Sequence, residues 1–215
     1  MPPARPARTV AAARWTRAER RLLDRLSTPA RIQGWLDRLA YRPEDRPGSP
    51  RRVMRERRAN CYDGALFAAA ALRNLGHPPL LLDLRAVRDD DHVLAVFRRG
   101  GRLGAVAKSN FSGLRFREPV YRTPRELALS YFEDYFNDAG EKTLRAWSGL
   151  LDLRRFDPLR WMFDDAPLQF ISDRLDALRH HPILTPALVR GLSRVDDRSR
   201  KAGMLGVDRA GLYRG

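Results

Sequence analysis

The sequence predicts an α+β fold in which one buried helix packs on a small antiparallel sheet. Between Asn60 and Gly76 the chain is apolar almost all round the helix, as is typical of a helix inside a domain. Asn60 suits the N-cap, and Gly76 suits the left-handed C-terminal stop. Three short apolar runs follow, at 80–84, 92–97 and 102–108. Their hairpin-length links favour antiparallel pairing.

The 215 residues are enough for one full domain with added helices. We expect five regions: a basic disordered leader at 1–15, helices at 16–49, the helix-and-sheet core at 50–136, further helices at 137–195 and a loose tail at 196–215. The leader is rich in Arg, Ala and Pro and holds no acidic residue. A mitochondrial transit peptide is the alternative interpretation of that composition.

Capping signals predict where the flanking helices begin. A Ser, Thr, Asp or Asn before an apolar-periodic run satisfies the first unpaired backbone amides of a helix. Starts of this kind follow Thr16, Thr28, Thr123, Asp165 and Thr185. Residues 141–149 also favour helix. The aromatic residues at 131–136 lie at helical spacing, which predicts core packing.

Arginine dominates the charge of the chain. The net charge is +15, and residues 1–60 carry 16 arginines against 6 acidic residues. A nucleic-acid groove combines basic residues with exposed aromatic ones, and the basic run at 51–58 has no aromatic residue. We therefore do not expect nucleic acid as the principal partner.

Several classes of protein and site are disfavoured by composition. The single cysteine excludes a disulfide framework and favours a reducing compartment, so a cytoplasmic location is expected. No apolar run is long enough to span a membrane. The acidic turn at 89–91 lacks the Gly and Glu of a calcium loop. His180 and His181 precede a proline, which favours a helix end over a metal site. No metal or cofactor is expected.

Cys61 and His92 are the candidate catalytic residues. Cys61 lies in the first turn of the predicted buried helix, where free amides and the helix dipole stabilise a thiolate. His92 begins a predicted strand, and a histidine beside a thiol can take its proton and return it to a leaving amine. The alternative is that Cys61 is a small core residue and His92 a structural one. The catalytic interpretation predicts that Sγ and an imidazole nitrogen lie within hydrogen-bond reach.

Residues 60–77, NCYDGALFAAAALRNLGH, resemble the nucleophile helix of the transglutaminase-like superfamily, in which a cysteine begins a helix that ends in a Leu-Gly turn. The run Asp90-Asp91-His92-Val93 resembles the histidine strand of the same superfamily. The resemblance covers residues 50–112. It implies papain-like Cys-His-Asp chemistry on a helix packed against an antiparallel sheet.

The third catalytic position departs from the family pattern, because the third predicted strand carries no aspartate. Lys108, Ser109 and Asn110 fall there. Asparagine offers a carbonyl acceptor to the distal nitrogen of His92, so Asn110 is the favoured orienting residue and Ser109 the second choice. Replacing Asn110 by alanine is then expected to lower turnover and alkylation of Cys61.

Together these features predict thiol-dependent acyl chemistry on an amide, through Cys61, His92 and Asn110. The substrate is expected to be a peptide or protein amide. Hydrolysis and transfer to an amine share an acyl-enzyme, so both remain open. The alternatives are a catalytically inactive binding domain on the same fold and, with less support, a nucleic-acid binder that uses the basic N-terminal segment.

Overall fold

The computed structural model describes residues 14–43 and 46–213, and it combines α-helices with a mainly antiparallel sheet. The α-helices are α1 (Arg17–Arg25), α2 (Pro29–Asp37), α3 (Pro50–Glu56), α4 (Cys61–Asn74), α5 (Pro124–Leu129), α6 (Leu168–Asp176), α7 (Pro186–Arg190) and α8 (Asp197–Gly203). The strands are β1 (Ala40–Tyr41), β2 (Arg58–Ala59), β3 (Leu80–Ala86), β4 (His92–Arg99), β5 (Arg102–Val106), β6 (Arg117–Tyr121), β7 (Leu144–Ser148), β8 (Leu151–Asp152) and β9 (His180–Pro182). Short 3-10 helices lie at Ser112–Leu114, Leu153–Leu159 and Arg209–Gly211.

The main sheet has the order β6-β5-β4-β3-β7-β9, and β8 pairs with β3 beside β7. Every pair in this sheet is antiparallel, as the short links predict. The β4–β5 hairpin turns at Gly100 and Gly101, which both have positive φ. The remaining pair, β1 with β2, is a separate parallel ribbon. An α+β fold with an antiparallel sheet and flanking helices is therefore confirmed.

Both faces of the sheet are covered, so the strands carry apolar side chains on both faces. Along β4, Val93, Ala95 and Phe97 belong to the core that contains α4. Leu94 and Val96 belong to a second core, with the aromatic side chains of 131–136. This alternation follows from the two-residue repeat of a strand. It places the side chain of His92 on the face opposite α4.

Helix α4 packs on the sheet, and it begins and ends where the capping signals predict. The Asn60 side chain accepts a hydrogen bond from the Asp63 amide at 2.9 Å, and Gly76 has φ +87°. Its residues from Tyr62 to Leu72 are all buried. The predicted caps at Thr16, Thr28, Thr123 and Thr185 are also present.

Helix α2 is fixed to the end of β5 by buried polar contacts. The Gln33 side chain exchanges two hydrogen bonds with the backbone of Ala107, at 2.9 and 3.1 Å. The Lys108 ammonium donates to the carbonyls of Leu36 and Leu39, where the helix ends. A cation at this position satisfies carbonyls that the helix leaves unpaired. Burial lowers the pKa of Lys108.

Three expectations about the outer regions are wrong. Residues 141–149 contain strand β7, because Trp147 and its neighbours complete the sheet beside β3. The region 137–195 is therefore mixed and not helical throughout. The region 196–215 contains α8 and a 3-10 turn that pack against the core. Residues 1–13 of the predicted leader lie outside the described residues, whereas the Trp15 ring contacts Phe163 in a tilted arrangement, with 4.6 Å between the ring centroids.

In the described part of the chain, no helix combines the length and the apolar character that crossing a membrane requires.

Candidate functional site

A small cavity lies at the end of the sheet where β4 begins. Its volume is about 40 Å³, and both Cys61 and His92 line it. A wider groove of about 670 Å³ shares Cys61 with it and is lined also by Tyr41, Arg42 and Asn60. The first turn of α4 and the first residue of β4 thus meet at one recess.

Cys61 is held by main-chain groups on either side of His92. Its thiol donates to the Asp91 carbonyl at 3.7 Å. The Val93 amide donates to the sulfur and favours the thiolate, but burial has the larger effect and raises the pKa of Cys61 to about 12. The negative charge of Asp90 acts in the same direction as burial. The expected lowering by the helix N-terminus is therefore outweighed in this conformation.

His92 reaches the cavity from the opposite face of the sheet. Its Nε2 lies 2.8 Å from the Leu114 carbonyl, and its ring contacts Tyr131 and Tyr135 edge-on. Burial lowers the pKa of His92 to about 4, so the imidazole is neutral at pH 7. The predicted hydrogen bond between Sγ and the imidazole is not among the contacts of the described residues.

The Leu114 carbonyl determines the tautomer of His92. A carbonyl can only accept, so Nε2 carries the proton and Nδ1 keeps its lone pair. A neutral imidazole with a free lone pair is the form that can act as a general base. The contact to His92 that was predicted for a side chain at 109 or 110 is therefore made by the main-chain carbonyl of Leu114.

Asn110 does not orient His92. Its Nδ2 donates to the carbonyls of Asp208 and Gly211, and its Oδ1 accepts from the Asp208 amide at 2.8 Å. Ser109, the second choice, accepts from the Phe111 amide. Both side chains line the cavity, yet neither bonds to the imidazole. The backbone turns away after β5 at Val106, and this brings Asn110 against the C-terminal segment.

The acidic turn at 89–91 forms one wall of the cavity. Asp91 accepts from the Ala86 amide at 2.7 Å, and Asp89 accepts from the Thr143 hydroxyl at 2.6 Å. Tyr135 donates to the Asp90 carbonyl. The turn is therefore bound into the protein. Over the described residues, no three His, Cys, Asp or Glu side chains are grouped as a metal would require.

His180 does not cap a helix. It begins strand β9, and its Nε2 lies 2.8 Å from Oδ2 of the buried Asp83 on β3. Its Nδ1 donates to the Leu178 carbonyl at 2.8 Å. The pair joins β9 to β3 across β7. The sequence signal for this pair was Asp83, a lone acid in an otherwise apolar run.

Several arginines of the basic front segment make contacts within the protein. Arg42 pairs with the buried Asp63, and Arg51 pairs with Glu19 at 2.9 Å. The Arg57 guanidinium stacks on the Trp35 ring at 4.6 Å. These contacts give part of the positive charge a structural role.

The burial of His92 predicts a specific dependence of stability on pH. Its pKa is lower in the folded state than the ordinary 6.5, so the unfolded chain binds the proton first. Stability is then lost as the pH falls from 6.5 towards 4, by about 3 kcal/mol from this residue. The variant His92→Gln, which can still donate to Leu114, removes that contribution.

The measurement is urea unfolding of both proteins at pH 7 and pH 4. We expect the wild type to lose about 3 kcal/mol more than His92→Gln over this interval. The comparison cancels the titration of buried aspartates, because both proteins contain them. Equal losses of stability in the two proteins would show that folding does not lower the pKa of His92.

Comparison with models of known protein families and with curated proteins finds no match to this chain.

Proposed function

We propose that this protein catalyses thiol-dependent acyl chemistry on an amide, with Cys61 as nucleophile and His92 as general base. The observation that carries the proposal is that Cys61, at the first turn of a buried helix, lines one cavity with a histidine that uses Nε2, and not Nδ1, to bond to the Leu114 carbonyl. The resemblance of residues 60–77 and 90–93 to the transglutaminase-like superfamily supports the same chemistry.

The proposed reaction begins with transfer of the Cys61 proton to Nδ1 of His92. The sulfur forms a bond to the substrate carbonyl carbon, and backbone amides at the start of α4 stabilise the oxyanion. The amide C–N bond then breaks as the imidazolium returns the proton to the leaving amine. Water or a second amine attacks the thioester and regenerates the thiol, which gives hydrolysis or transfer respectively.

The neutral forms of both groups fit this order of events. With the pKa of Cys61 near 12 and that of His92 near 4, no resting thiolate–imidazolium pair forms at pH 7. The proton moves only when the carbonyl is attacked, as in general-base catalysis. The Leu114 carbonyl stabilises the imidazolium less than a carboxylate does, because it carries no full charge. We therefore propose a slow enzyme.

A non-catalytic binding domain is the second candidate. The observation that favours it is that desolvation raises the pKa of Cys61 and lowers that of His92, which disfavours the charged form of each, although the Cys61 residue as a whole is only partly buried. In that case the groove beside Cys61 binds a peptide without cleaving it, and Cys61 contributes only packing. Substitution of Cys61 then leaves binding intact and abolishes no reaction.

The test is turnover of a peptide amide, an isopeptide and an amine-incorporation substrate by the full chain. We expect Cys61→Ala to abolish turnover, and His92→Ala to lower it about 100-fold or more. Asn74→Ala, at the exposed end of α4, is the control and should match the wild type. A mass increase on Cys61 with an activated acyl substrate would identify the thioester. Wild-type turnover by Cys61→Ala would exclude the proposed function.

A further inference from the structure

The C-terminal segment 196–213, which we call the strap, passes over the candidate site. It consists of α8, the 3-10 turn Arg209–Gly211 and an extended end. Gly211 and Tyr213 line the 40 Å³ cavity together with Cys61. They also line the wider groove, with Ala210 and Leu212. The strap therefore forms part of the wall of both recesses that Cys61 lines.

Asn110 is the main polar anchor of the strap. Its amide group makes hydrogen bonds to Asp208 N, Asp208 O and Gly211 O, at 2.8, 2.8 and 3.2 Å. A side-chain amide that both donates to and accepts from a main chain recognises main-chain groups, whatever the side chains of that segment are. A peptide substrate with free backbone groups could make the same bonds.

Gly211 lies against the ring of Tyr41, which lines both the cavity and the groove. A Cβ atom at this position would overlap two carbons of that ring. The strap can therefore approach the cavity only because residue 211 has no side chain. The same close approach would select a glycine in any peptide that takes its place.

The strap is bound more weakly than the sheet beneath it. None of the described residues 184–213 is fully buried, and α8 has no buried side chain. The other polar anchors include Ser112, which donates to the Ala202 carbonyl, and Arg200, which pairs with the exposed Asp138. Segments with few buried apolar contacts open locally at a lower free energy than the whole domain.

We propose that the strap is an autoinhibitory cover that occupies the site of a glycine-containing peptide substrate and must leave for Cys61 to react. This inference rests on the proposed function. Departure of the strap admits water to the sulfur and removes part of the desolvation that now opposes the thiolate. An incoming peptide competes for the Asn110 amide and the face of Tyr41, so substrate binding and opening are coupled.

The test is the rate at which iodoacetamide alkylates the native full-length chain at pH 7.5. Cys61 is the only cysteine in the sequence, so alkylation of the protein reports this thiol alone. We expect Asn110→Ala and Gly211→Ala each to react at least tenfold faster than the wild type. This is the reverse of what an orienting role for Asn110 predicts. Rates within twofold of the wild type for both variants would overturn the proposal.

Each variant has a matched control. Asn74→Ala removes an exposed asparagine remote from the strap, and Gly149→Ala adds a Cβ where no atom lies within 4 Å. Both controls should react at the wild-type rate. Faster reaction of the controls as well would mean that alkylation reports general loosening, which also counts against the strap.

The urea dependence of the wild-type rate separates local opening from global unfolding. Local departure of the strap exposes little surface, so the rate should rise shallowly with urea below the unfolding transition. If the wild-type alkylation rate rises with urea as steeply as the global m-value requires, the proposal is overturned. This measurement uses the wild type, so it holds even if the variants fail to fold. Faster alkylation of Asn110→Ala without amide turnover supports the cover and counts against the proposed function. Unchanged alkylation counts against the cover whatever the turnover.

Discussion

Gly64→Ala is expected to destabilise the protein by about 3 kcal/mol, as inserted core atoms commonly do. Gly64 faces the end of β5, and a Cβ there would overlap the Cβ of Lys108 and approach its Cα at 3.5 Å. Those atoms belong to or adjoin the backbone, so they cannot rotate away. Relief requires α4 to move off the sheet, and this would strain the hydrogen bonds of Lys108 to Leu36 and Leu39.

Gly34→Ala is the matched control, because Gly34 lies inside helix α2 but has room around it. Its added Cβ would meet only the Arg38 guanidinium, at 3.8 Å. Alanine is favoured over glycine inside a helix by about 1 kcal/mol, so this variant should gain stability. Urea unfolding measures both changes. A Gly64→Ala protein as stable as Gly34→Ala would mean that α4 does not lie this close to Lys108.

Arg42→Met is expected to cost about 3–5 kcal/mol, the usual loss when one partner of a buried ion pair is removed. Arg42 and Asp63 are both almost wholly buried and bond to each other. Asp63 also accepts from the Gly48 amide at 2.6 Å, so it holds the loop after β1 against α4. Methionine fills much of the volume of arginine but leaves the carboxylate without this cation.

Adding Asp63→Asn to Arg42→Met should restore much of the lost stability. Asparagine keeps an acceptor for Gly48 and removes the buried charge. Even beside Arg42, burial raises the pKa of Asp63 to about 6. Proton uptake by Asp63 therefore reduces the loss in Arg42→Met at pH 5 relative to pH 8. A loss that is independent of pH would show that Asp63 does not change its protonation state between pH 5 and pH 8.

The local signals in the sequence predicted the helix α4 and the strands around it well. The Asn60 cap, the Gly76 stop and the Gly100-Gly101 turn depend on residues adjacent in the chain, so no tertiary information is needed. From the sequence, Cys61 and His92 were expected to lie within hydrogen-bond reach. They line one cavity, but each of them bonds to a main-chain carbonyl.

Features that depend on distant residues were missed. Strand β7 is half-buried by pairing with β3 and β9, and its own sequence does not alternate clearly. The partner of His92 is a main-chain carbonyl at Leu114, and every residue but the last carries such a group, so composition cannot reveal it. Asn110 lies near the cavity, but its side-chain amide forms hydrogen bonds with a segment 98 residues away in the chain.

The order of synthesis gives the strap a further consequence. The sheet order follows the chain closely from β3 to β6, so α4 and its strands can assemble from neighbouring segments as they leave the ribosome. The strap residues that line the cavity beside Cys61 are made much later, about ten seconds after it at ordinary rates of translation. During that interval the nascent chain carries Cys61 without the strap beside it. That thiol is therefore more open to reaction with oxidants or small electrophiles during synthesis than after the strap has folded onto the site.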